Sequence, residues 1–140
     1  MQHRRQGDQI LARLQAGAEI IGSIRELARL ESIPSGAFVG LGALSEVTLA
    51  LYELGPRKYI STRLEEELEL VSMTGNVSWF EGEPVIHAHG VVSRADFSTA
   101  GGHIMSGIVS VTVEVMVTVY PEKVERALVE EVGLNLLALG

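Results

Sequence analysis

Two hydrophobic periods divide this chain. Between Glu19 and Leu30, the residues Ile20, Ile21, Ile24, Leu27, Ala28 and Leu30 recur at helical spacing, with Glu19, Arg25, Glu26 and Arg29 on the other side. That pattern predicts one amphipathic helix, ended by Ile33-Pro34-Ser35-Gly36. Beyond residue 36 most of the chain reads as strand. The clearest case is residues 108–120, where valines hold every odd position from Val109 to Val119. Ser110, Thr112, Glu114, Met116 and Thr118 hold the even ones. A period of two over that length predicts a strand with one core face, and a second face that meets solvent or another subunit.

Shorter segments fill in the rest. Residues 1–7 read as a flexible end and residues 8–14 as a first strand. Residues 37–44 are an apolar run interrupted by Gly40 and Gly42, which suggests a bulge or a close backbone approach. Residues 47–52, 58–62 and 68–79 come next as strands, the last with an irregularity expected at Gly75-Asn76. Glu81-Gly82-Glu83-Pro84 has turn chemistry and leads into a strand over 85–92. The tail supports two readings, a helical turn over 125–131 and a return to the sheet over 133–139. One main helix among many strands predicts a single α+β domain over residues 8–140. Its mixed, largely antiparallel sheet packs against the helix.

Composition narrows the function classes. With 140 residues and 46% hydrophobic content the chain can build one packed core, and without cysteine it can form no disulfide or zinc-thiolate site. The net charge is −7; residues 31–140 hold six basic groups against fifteen acidic ones. Duplex DNA is bound largely through Lys and Arg at phosphates, so this balance argues against direct nucleic-acid binding. No apolar run is long enough for a membrane span, and the basic start lacks the apolar stretch of a secretory signal, so a cytoplasmic location is expected.

The chemistry concentrates in the histidines. Three of the four lie between positions 87 and 103. In Ile86-His87-Ala88-His89-Gly90 the two imidazoles sit two apart on a predicted strand, hence on one face, with Cβ atoms about 7 Å apart. Gly101-Gly102-His103 supplies a third imidazole that a neighbouring strand could bring alongside. Three neutral imidazoles suit a divalent metal, zinc first, and leave a coordination position for water or a small-molecule ligand. Glu69 shares strand parity with Val71 and Met73, which makes it a candidate inward-facing proton acceptor. Glu114, on the polar face of the valine strand, could line a pocket or an interface. Gly40-Leu41-Gly42 introduces no helix, so it does not read as a phosphate loop.

The order of these motifs resembles a known family. Gly40-Leu-Gly-Ala-Leu-Ser-Glu-Val-Thr-Leu, Glu69-Leu-Val-Ser-Met-Thr-Gly-Asn, His87-Ala-His, Gly101-Gly-His103 and Val111-Thr-Val-Glu-Val together look like the plants-and-prokaryotes conserved (PPC) domain, over nearly the whole chain. The resemblance implies a sheet-and-helix fold, a homotrimer and, as in metal-containing prokaryotic members, a site at His87, His89 and His103. Stand-alone prokaryotic members are often labelled DNA-binding because plant members carry AT-hooks. This chain has no Arg-Gly-Arg-Pro core. The fold is also similar to that of acetolactate decarboxylase, a zinc enzyme with a His-x-His strand motif. That similarity makes a metal-dependent lyase or hydrolase acting on a carbonyl or carboxylate compound the alternative to a metal-binding domain of unknown role.

Overall fold

The computed structural model describes all residues, 1–140, as one helix and eight strands. In chain order these are β1 (Gln2–Gln6), β2 (Gln9–Gln15), α1 (Ile20–Leu30), β3 (Ser35–Glu53) and β4 (Lys58–Phe80). Then come β5 (Glu83–Ser93), β6 (Thr99–Tyr120), β7 (Glu125–Val129) and β8 (Leu134–Ala138). The sheet runs β1-β2-β6-β3-β4-β7-β8, and β5 pairs with both β4 and β6. Strands β3, β4, β5 and β6 therefore close on one another where β5 meets the start of β6. All pairings are antiparallel except a single parallel bridge, Trp79 to Glu125, between β4 and β7. The expected α+β class and mixed, largely antiparallel sheet are found, with a larger share of strand than the hydrophobic pattern suggested.

The helix forms where its spacing predicts. Glu19 caps it, its carboxylate accepting from the backbone N–H groups of Ile21 and Gly22. Ile20, Ile21, Ile24, Leu27 and Ala28 are buried, and the helix packs against β5 and β6. The same carboxylate accepts from Gly107 N–H, 3.2 Å away, which ties the start of the helix to β6.

Several strands are longer than the periodicity indicates, because bulges hide their continuity. β3 runs unbroken from Ser35 to Glu53, joining the segments read separately over 37–44 and 47–52, with register shifts against β4 at Gly40/Gly42 and Leu44/Glu46. Gly42 has φ +152°, and a Cβ there would stand 2.1 Å from the Thr112 carbonyl oxygen, so only glycine fits this crossing. The matching shift on β6, between Gly42 and Leu44, turns Val111 outward, 72% exposed. The remaining odd valines, Val109 and Val113 to Val119, are buried as the period predicts. At Gly75 the expected irregularity is absent from the register. The glycine is required instead by the Phe38 ring and the His87 carbonyl oxygen, 2.3 and 2.2 Å from where its Cβ would lie.

Both ends of the chain correct the sequence reading. Residues 1–7, expected to be flexible, contain β1, paired with β2 from Gln2↔Arg13 to Gln6↔Gln9. Its side chains carry no apolar signal, and His3 and Arg5 anchor it by bonding to Glu31 at the end of the helix. Residues 125–131, read as a helical turn, begin instead with β7. Gly133, at φ +71°, bonds back to Val129 and turns the chain into β8.

Candidate metal centre

The three histidines converge. His87 and His89 lie on β5, separated by buried Ala88, which faces the core. His103, on β6, stands directly opposite His89 in the β5–β6 register. Opposed residues of an antiparallel pair share a face, so all three rings project to the same side. Their ring centroids are 5.1 to 5.3 Å apart, and one ligand nitrogen from each lies within 4.8 Å of the others. The Nε2 atoms of His87 and His89 are 3.2 Å apart. Two nitrogens bound to one tetrahedral zinc would be about 3.3 Å apart, given Zn–N of about 2.05 Å. The His87–His89 pair therefore has the spacing of two ligands on one ion, with a His103 nitrogen within 4.8 Å of both.

The surroundings keep two of the rings neutral. Burial, with help from Arg126 and the neighbouring imidazoles, pushes His87 down to about 4. Burial likewise lowers His103, aided by His89 and Arg126. A neutral imidazole offers the lone pair a metal needs. The pocket over the rings encloses about 290 Å³, with Ala50, Leu51, Tyr52 and Tyr59 forming its apolar wall. Tyr59 packs on His103 at 5.4 Å and on Tyr52 at 5.0 Å, and the Tyr52 hydroxyl donates to the Val132 carbonyl.

Glu69 does not join the site. It pairs with Ala43 and Ser93 on an exposed surface, four residues along β5 from the partner of His103. A register shift between Leu70 and Ser72 breaks the parity on which its inward placement rested. Glu69 and Val71 face out while Met73 is fully buried. Glu114 stands away from the histidines, in an outer row between Arg13 and Leu41, where it lines a surface pocket with Leu11, Arg13 and Met116.

Sequence reasoning missed Tyr59, Asn76 and Arg126. Asn76 is the register partner of His87. Arg126, on β7, donates to Asn76 Oδ1 (3.1 Å), Ser78 Oγ (2.8 Å) and the Asn135 carbonyl (2.8 Å). No local pattern links residues about fifty positions apart, and Arg126 sits in the segment that reads equally well as helix.

With this geometry established, comparison with known proteins places the chain. The Plants and Prokaryotes Conserved (PCC) domain signature matches residues 1–121. The chain belongs to this family. No protein of curated function matches it. Among solved structures, a candidate DNA-binding protein from Ralstonia eutropha JMP134 is 35% identical, with TM-score 0.92 over 99% of this chain and 96% of that one. A protein from Archaeoglobus fulgidus described as metal-containing is 28% identical, with TM-score 0.88 over 95% and 94%. Acetolactate decarboxylase from Bacillus subtilis strain 168 shares the fold at 12% identity, with TM-score 0.60 over 87% of this chain and 57% of that one. The hairpin β7–β8 lies beyond the matched residues. No helix of the domain is long and apolar enough to cross a membrane.

Proposed function

We propose that this PPC domain binds one divalent cation, zinc in preference, through His87, His89 and His103, and presents the ion's open coordination position to a small-molecule ligand. The observation that carries the reading is the convergence of three imidazole nitrogens within 4.8 Å on one face of adjacent strands. The metal-containing description of the Archaeoglobus fulgidus relative supports it. Three protein ligands and an open fourth position are the arrangement of a site that exchanges water for another ligand. No carboxylate lines the pocket, and Glu69 is elsewhere, so the enzymatic alternative lacks its expected proton acceptor.

The deciding experiment is metal analysis of the purified protein beside a His87→Ala, His89→Ala double variant. One ion per chain is expected in the parent and almost none in the variant. Equal metal content in the two would remove the site.

A homotrimer is the assembly we infer. Leu11, Met116 and Val39 stand side by side on β2, β6 and β3, on the sheet face away from the core, with Leu11 53% and Val39 49% exposed. Contiguous exposed apolar rows of this kind mark subunit contacts. The Ralstonia eutropha relative gives a competing reading, DNA binding. With a net charge of −7, a gel shift on duplex DNA at low salt is expected to be negative. A salt-sensitive shift would restore that reading.

A further inference from the structure

The charge around the metal centre is one-sided. Arg126 is half-buried beside it, and all three of its hydrogen bonds go to uncharged acceptors on Asn76, Ser78 and Asn135. It takes part in no ion pair, unlike Arg5, Arg29, Arg63, Arg94 and Lys123. Burying a cation without a counter-ion is costly, and burial does lower this guanidinium. Its position is fixed all the same. Its bond to Asn76 holds it next to His87, because Asn76 and His87 are register partners. None of the residues lining the pocket is acidic, in a chain that has eighteen carboxylate side chains to place. A dication held by three neutral imidazoles keeps its full charge, and the guanidinium adds to it.

We propose that Arg126, carried by the β7–β8 hairpin, makes this centre selective for a small carboxylate anion, which takes the open position on the ion and supplies the missing negative charge. The proposal rests on the metal-binding reading above. A single negative charge is favoured by both cations, whereas a neutral donor gains only its bond to the ion and nothing from the guanidinium. The apolar wall of Ala50, Leu51, Tyr52 and Tyr59 suits a carboxylate with a short hydrocarbon body over a fully polar anion such as inorganic phosphate. Arg126 does not line the pocket, so it acts as a positioning residue, through its charge and through its hold on Asn76.

A charge role predicts a sign that a merely structural role would not. Arg126 repels the metal ion and attracts the anion, so its removal should leave metal affinity unchanged or raised while anion affinity falls. The test uses the full chain loaded with Co(II), whose visible absorption reports on the open position. Isobutyrate, imidazole and inorganic phosphate are titrated against the parent, R126M and R126K. Isobutyrate is expected to bind the parent more tightly than phosphate does, to weaken about tenfold or more in R126M, and to recover in R126K. Imidazole should bind all three alike, and R126M should take up metal at least as tightly as the parent. Loss of metal and isobutyrate binding together in R126M and R126K would overturn the charge role. Tighter binding of phosphate than isobutyrate would overturn the ligand class. A parent that takes up no metal would defeat the metal reading and this proposal together; metal uptake with no anion preference would defeat this proposal alone.

Discussion

His87 shows how burial tunes an imidazole of the candidate centre. Its folded-state value, about 4, is below the ordinary imidazole value of 6.5, chiefly because burial disfavours the charged ring. Between those values the unfolded chain binds the extra proton and the folded chain does not, so stability rises with pH in that window. The contribution is whole above about 6.5 and is lost as pH falls toward about 4. Metal-free protein should therefore show a Tm that declines on acidification through this range, and His87→Asn should flatten the decline. An unchanged slope in the variant would mean that another group carries the effect. At this scale much of the candidate site was legible: His-x-His on a strand fixes two rings on one face, and a nearby histidine is a natural third. Glu69 was misread because strand parity holds only between bulges, and the bulge at Val71 leaves no mark in the hydrophobic pattern. Arg126 was illegible because its meaning lies in Asn76 and Ser78, which only the folded sheet brings to it.

At the scale of elements, the cap of α1 links local and tertiary order. Glu19 satisfies two otherwise unpaired N–H groups of the first turn and one from Gly107 on β6. Glu19→Ala should cost about 1–2 kcal/mol in urea unfolding, the range of a lost N-cap. Glu19→Gln, which keeps an acceptor oxygen, should cost less; equal losses would mean that the carboxylate's charge matters more than its bonds. The helix was legible because its period is uninterrupted. The strands were legible in kind but not in extent, since β3, β4 and β6 each cross a register shift that reverses which positions face the core. β1 was lost for a different reason. All five of its residues are exposed, so no buried face imprints a period, and its order comes from the β2 ladder and the Glu31 contacts.

For the whole molecule, the question is whether the inferred trimer and the proposed metal binding depend on each other. All three histidines come from one chain, on β5 and on the first residues of β6. The apolar row at Met116 lies thirteen residues further along β6, roughly 40 Å of extended strand. A charge placed in that row should therefore break the assembly and leave the centre intact. Val39 is suited to the test because its side chain is half exposed and sits between Met116 and Thr74 in the outer row. Light scattering on the parent is expected to give three times the 15.1 kDa chain mass, and Val39→Glu should shift it toward a single chain. A buried carboxylate at a subunit contact is strongly disfavoured, whereas the same group on a free surface costs little. The monomeric variant should still bind one metal ion per chain. If metal is lost with the trimer, the ion depends on a neighbouring subunit, and three imidazoles from one chain would not be enough to hold it.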